Sequence, residues 1–168
     1  IILAAEYLVN KGITKFKISF VGDGSAKEGI MSLVTQKHLE NHIVFYDSVP
    51  MSQMPSVYKK TDALLITLRS GQITLPGKIL AYMATGKPIL GAMDGSGNDL
   101  INESACGKCV PAENYELLAK QMRDMIVNPE AYRQYGENGK KYFMENFTLD
   151  IHINRLLDLL KKVQTEEL

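Results

Sequence analysis

The chain is short of several things at once. Across 168 residues, nineteen Lys and Arg meet nineteen Asp and Glu, so there is no net formal charge. Nucleic-acid binders neutralise phosphates with a basic excess, and its absence argues against a bulk polyanion partner. Two cysteines are too few to staple a small secreted domain and agree with a reducing cytoplasm. No apolar run approaches the roughly 20 residues of a membrane span. No basic-then-apolar leader precedes Ile1, and because that residue is not Met the expectation is a piece of something longer. Repeats and low-complexity tracts are also missing. What remains is an ordinary globular composition, 45% hydrophobic and 23% charged, at a length that suits one domain able to bury a core.

The periodicity changes along the chain. Ile2, Ala5, Leu8 and Val9 share one face of an opening helix that Gly12 closes. Phe16 to Val21 reads as a strand entering the turn Gly22-Asp23-Gly24, followed by a helix over 25–39 with Ser25 as its N-cap. Strands are expected over 43–46, 63–68, 88–93 and 108–111, with helices over 52–61, 76–85 and 98–105 between them. The apolar strands lack polar alternation, which implies burial on both faces. This alternation predicts an α/β fold with a Rossmann-like parallel sheet flanked by helices. After Pro111 three helices follow, over 114–127, 129–142 and 148–163, with Asn128 and Thr148 as N-caps. The last carries Ile151, Ile153, Leu156, Leu157, Leu159, Leu160 and Val163 on a wide apolar face. Packing against its own domain is the first expectation for that face, and docking of a further domain the alternative.

The neutral total hides an uneven distribution. No acid stands between Asp62 and Asp94, while Arg69, Lys78 and Lys87 fall inside that interval. The interval holds a buried strand, the loop Arg69-Ser70-Gly71-Gln72-Ile73-Thr74-Leu75 leaving its carboxyl end, and a helix start at Pro76. Ligands of open α/β sheets bind outside the carboxyl ends of the strands, and a helix N-terminus offers free N–H groups to an anion. Gly71 and Gly77 would let backbone approach the ligand, Thr74 would cap the helix and Lys78 would reach a phosphate. The plain alternative is a loop glycine and a solvated lysine. Gly22-Asp23-Gly24 resembles the start of a dinucleotide fingerprint, with Asp47 near the ribose-binding position, but Lys27 occupies the third glycine position. Cys106-Gly-Lys-Cys109 follows a helix, the wrong end of the dipole for a redox thiolate, and His38, His42 and His152 do not complete a zinc set. Met51, Met54, Met83 and Met93 read as core or loop residues.

Five segments occur in an order that resembles the group 1 retaining glycosyltransferases. They are Phe20-Val-Gly-Asp-Gly-Ser25, Ile43 to Pro50, Leu75-Pro-Gly-Lys-Ile-Leu-Ala-Tyr-Met-Ala-Thr-Gly-Lys-Pro-Ile89, Cys106 to Pro111, and Leu117-Leu-Ala-Lys120. The chain is similar to the C-terminal, nucleotide-sugar-binding half of a GT-B fold, of the bacterial surface-polysaccharide kind, over nearly its whole length. The resemblance implies one donor-binding domain over residues 1–168 whose first strand and acceptor domain lie outside it. It implies transfer of a sugar from a nucleotide-diphosphate sugar, UDP-linked, to a glycan or lipid-linked acceptor, with no metal or other cofactor. The full-length enzyme would work in the cytoplasm, at the inner face of the membrane. Gly22, Asp23 and Gly24 would approach the donor, Asp47, Ser48 and Val49 the base, and Ser70, Thr74, Leu75, Pro76, Gly77, Lys78 and Tyr82 the diphosphate and sugar.

One departure stands out. Many members carry two glutamates, the second of which binds the donor ribose; alignment on Tyr82-Met83 places Ile73 and Ala81 there, and neither accepts a hydrogen bond. That motivates a second hypothesis, a non-catalytic module of the same fold. A UDP-sugar epimerase-type domain and a dehydrogenase-type Rossmann domain are further alternatives.

Overall fold

The computed structural model describes residues 1–72 and 74–166. Five four-residue strands alternate with helices in the order α1 (Ile2–Asn10), β1 (Ile18–Val21), α2 (Lys27–Gln36), β2 (Ile43–Tyr46), α3 (Met54–Lys59), β3 (Leu64–Thr67), α4 (Lys78–Thr85), β4 (Ile89–Ala92), α5 (Ser96–Glu103) and β5 (Gly107–Val110). A 3-10 turn, Met51–Gln53, leads into α3. Then come α6 (Tyr115–Val127), α7 (Pro129–Asn146) and α8 (Leu149–Glu166). Every strand pair is parallel: β1 with β2, and β3-β4-β5 in that order. The α/β expectation therefore holds, and the parallel strands fall into a pair and a triplet.

One apolar core joins both sheets. Ile18 and Ile43 from the first meet Leu90, Ala92 and Val110 from the second, under Ala4, Ala5 and Leu8 of α1 and Leu118, Ala119 and Met122 of α6. The alternate residues Ile66, Ile89 and Met93 build a second cluster with Ile79 and Met83 of α4 and Ile101 of α5. All four residues of β4 are buried, which is what a strand covered by helices on both faces requires. Two close approaches set the helix positions. Gly86 ends α4 in the left-handed region at φ 72°, and a Cβ on Gly136 of α7 would lie 2.0 Å from its carbonyl oxygen. A Cβ on Gly107 would lie 1.9 Å from the Ile89 oxygen, so β5 has no room for a side chain at its start.

Several local expectations are corrected. Ser25 does not cap α2: residues 24–27 form a turn closed by Lys27 N–H on Gly24 O (3.0 Å), and the helix starts two residues later than expected. Asn128 makes no cap bond to α7 because its amide turns back to Asp124 Oδ1 (3.2 Å). Asn114 does cap α6, accepting from Leu117 N–H. Met83 and Met93 are core residues, whereas Met51 is exposed. The larger correction concerns α8. Leu149, Ile153, Leu156, Leu157, Leu159, Leu160 and Val163 are all exposed, Leu149 to 73% and Val163 to 56%, so this face does not pack on its own domain. Both faces of the strands are already covered by α1 and α6 or by α4, α5 and α7, and α8 is tied on through Arg155 to Asn146 and the Phe147–His152 ring contact. No helix among the described residues is long and apolar enough to cross a membrane.

Candidate functional site

Parallel strands send all their following loops to one end of each sheet, and most of the residues singled out by sequence occupy those loops or the helix start that follows. They fall into two groups. After β1 and β2, Lys27 Nζ donates to Asp23 Oδ1 at 2.7 Å and to Asp47 Oδ1 at 3.0 Å, while Ser48 N–H donates to Asp23 Oδ2 at 3.1 Å. Gly22, held at φ 128°, extends the parallel ladder by donating to Tyr46 O. Lys27 was expected to spoil a dinucleotide turn by its bulk; instead its ammonium joins the two loops. The hydrogen bond from Lys27, then that from the Ser48 amide, holds the Asp23 carboxyl below its usual range, and Asp23 followed by Asp47 raises the Lys27 ammonium. Val49, in the second of these loops, is half-buried.

The second group follows β3. Arg69 N–H donates to Gln72 Oε1 and Gln72 N–H to Arg69 O, both at 3.2 Å, which curls the loop back on itself with Ser70 and Gly71 (φ 82°) at its exposed tip. Thr74, Leu75 and Gly77 are exposed, Pro76 is half-buried, and Lys78 opens α4 with its side chain exposed. Thr74 does not cap α4: the N-cap position is Gly77, and no side chain caps it. Neither Lys78 nor Arg69 forms an ion pair among the described residues. Among the described residues, chain neighbours aside, nothing lies within 4 Å of where a Cβ on Gly77 would stand, nor around Gly22, Gly24 or Gly71. Tyr82, one turn into α4, is half-buried with its ring edge-on to Tyr58 (5.7 Å), and burial, then Tyr58, pushes its hydroxyl pKa up.

The third cation of the acid-free interval does not belong here. Lys87 lies between the carboxyl end of α4 and the start of β4, at the opposite end of the strand from Lys78. Ala81 is exposed on α4, so its position offers solvent a methyl group in place of a carboxylate. The companion position, Ile73, lies outside the described residues. Sequence reading missed a neighbour. Gly95 (φ 70°) turns the chain from β4 into α5, and a Cβ on Gly97 would meet Met93 Sδ at 2.6 Å and Pro76 Cδ at 3.2 Å. The start of α5 is thereby pressed against the start of α4, and Asp94 in the same turn accepts from Ala112 N–H. The signal was present: Asp94-Gly-Ser96 repeats Asp23-Gly-Ser25, and both follow a strand.

Chemically, the second group is a cradle for an anion. The first N–H groups of a helix lack intrahelical partners and its dipole end is positive, so α4, Lys78 and Arg69 can receive a phosphate. The cysteines contribute nothing to it: Cys106 is buried, Cys109 half-buried, and burial raises both thiols, the reverse of an activated thiolate. No cluster of three or more His, Cys, Asp or Glu among the described residues could hold a metal.

Comparison with known proteins bears on the family and the fold. The sequence profile described as glycosyl transferases group 1 matches residues 1–142. The chain is 20% identical over 148 residues to a GDP-mannose-dependent alpha-(1-6)-phosphatidylinositol monomannoside mannosyltransferase of Mycolicibacterium smegmatis, covering 85% of this chain and 39% of that protein. It is 31% identical over 74 residues to the O-antigen chain mannosyltransferase C of Escherichia coli, covering 44% of this chain and 20% of the other. The crystal structure of Anabaena HepE in complex with UDP superposes with a TM-score of 0.82 at 16% identity, over 95% of this chain and 44% of that one. The chain thus spans less than half the length of these relatives.

Proposed function

We propose, from the premise that this chain belongs to the group 1 glycosyl transferases, that it is the donor-binding domain of an enzyme moving a sugar from a nucleotide-diphosphate sugar to a surface glycan or lipid-linked acceptor. The observation that carries this reading is Lys78 at the start of α4, without an ion pair among the described residues, beside open space at Gly77 and with Arg69 in the preceding loop. A leaving diphosphate develops charge as the sugar departs, and donors already pointed at it lower the barrier without reorganising. The diphosphate would sit against Thr74 to Lys78, the base against Asp47 to Val49, with Gly22 to Gly24 as the floor. UDP is favoured as the carrier by the UDP complex of the superposable Anabaena protein, while the mycobacterial relative is described as GDP-mannose-dependent.

Two features support a larger protein around this domain. β1 and β3 are each paired along one edge among the described residues, although both sheets share a core. In a doubly wound sheet the first strand lies centrally, between the second and the fourth. A strand contributed from before Ile1 would fit between β1 and β3 and join the pair to the triplet. The exposed apolar face of α8 would then lie against an acceptor domain.

Titration with UDP, GDP and NAD tests the reading. Nucleoside diphosphate should bind, and Lys78→Ala should weaken it about tenfold while the fold is retained, since exposed surface changes seldom move stability by more than roughly 0.5 kcal/mol. Saturable binding of NAD alone would overturn the donor assignment. The exposed Ala81 favours a second reading, a binding module that takes the nucleotide and transfers nothing. Full-length protein that binds UDP or GDP but neither hydrolyses donor sugars nor transfers them would establish that second reading.

A further inference from the structure

We infer that Lys27 is a positioning residue of the donor site, whose ammonium cancels the Asp23 and Asp47 carboxylates at the mouth of the site and binds the β1–α2 loop to the β2–α3 loop. This deepens the donor-site reading and rests on it. The geometry is specific. One ammonium lies 2.7 Å from Asp23 and 3.0 Å from Asp47, residues 24 positions apart, and the second oxygen of Asp23 takes the Ser48 amide at 3.1 Å. The Asp47 side chain is 94% exposed and that of Asp23 58%, whereas the Lys27 side chain is only 24% exposed. No other cation among the described residues pairs with either carboxylate.

Two carboxylates are an unfavourable welcome for a nucleoside diphosphate. With Lys27 present the group carries a formal charge of −1; without it the charge is −2, and the two acids repel each other as well as the incoming phosphates. Both loops carry residues assigned to the donor, so their separation would also widen the base pocket. The Lys27–Asp23 pair persists across the neutral range, because the Lys27 hydrogen bond lowers the Asp23 carboxyl and the same contact raises the Lys27 ammonium.

The test is the affinity of the full-length protein for UDP and GDP at about 20 mM and about 500 mM salt, with four variants. Lys27→Met should weaken binding about fivefold at low salt and less at high salt, where exposed charges are screened. Lys27→Gln, which loses the charge but keeps N–H donors for both loops, should do the same and is the arm that folds should the Met variant fail. Lys27→Arg should stay within about twofold of the parent, and the triple Asp23→Asn/Lys27→Met/Asp47→Asn should recover most of the loss. If the parent binds neither nucleotide, the donor-site reading fails and takes this inference with it. If the parent binds and both single-charge variants bind within twofold of it, only the role of Lys27 is overturned. A loss that salt does not reduce and the triple variant does not recover would mark Lys27 as merely structural, which also overturns it.

Discussion

At the scale of the residue, glycines separate the demands of the fold from those of a ligand. A Cβ on Gly136 or Gly107 would lie 2.0 Å or 1.9 Å from a backbone oxygen, so their bareness serves packing. Gly77 differs: its backbone is right-handed helical (φ −56°, ψ −22°), which alanine adopts freely, and among the described residues, chain neighbours aside, nothing lies within 4 Å of a Cβ there. Packing offers no reason for glycine at that point, whereas a phosphate held on the first amides of α4 does. Gly77→Ala should therefore leave stability unchanged or raise it by about 0.5 kcal/mol, through a stiffer unfolded chain, while nucleoside diphosphate binding falls about tenfold. Thermal unfolding and calorimetric titration of the same preparation would check both halves. Gly22, Gly24 and Lys78 were legible as site candidates because their residue types suit a strand end and a helix start. The partnership of Lys27 with Asp47 was not, since nothing in a spacing of 20 residues says which loops meet.

At the scale of the element, the helices differ in what holds them. α6 has an apolar face on the core, a side-chain cap from Asn114, and Asp124, which binds Lys108 of β5 and the Tyr132 hydroxyl of α7. α7 is set by contact: its Gly136 touches the Gly86 carbonyl and a Cβ on its Gly139 would meet Cys106 Cβ at 2.8 Å. Because backbone cannot yield as a side-chain tip does, Gly136→Ala should push α7 off α4 and cost about 3 kcal/mol. Urea unfolding should show the loss as a lower midpoint. The binding groups on the loops are remote from Gly136, so affinity should fall only as far as the folded fraction does. The extents of α1, α6 and the strands were legible in their apolar periods to within one or two residues. The caps of α2 and α4 were not, because Ser25 has the chemistry of a cap but stands in a turn that Lys27 N–H closes on Gly24 O, and Gly77 rather than Thr74 takes the N-cap position of α4.

At the scale of the whole molecule, the placement of charge and of uncovered apolar surface matters most. The acid-free interval from Asp62 to Asp94 suggested three cations around one anion, yet α4 carries Lys87 to the other end of the sheet and leaves Arg69 and Lys78. α8 presents leucines to solvent where the chain itself has no face left to cover them. In the 168-residue chain, Leu156→Gln/Leu160→Gln should shift the unfolding midpoint by less than about 2 °C, since those side chains bury little. In the full-length protein the same pair should lower it by several degrees if a second domain lies on α8; scanning calorimetry of the two would decide. The order of segments determined the family, the alternation of elements and the loops that hold the candidate site, because periodicity and turn chemistry are local properties that any reader of the chain can see. Only the tertiary structure decided that Lys27 joins two loops, that α5 leans on the start of α4, that Lys87 stands apart and that α8 is bare. Each depends on distances between residues far apart in sequence, which are set by how the helices pack on the strands.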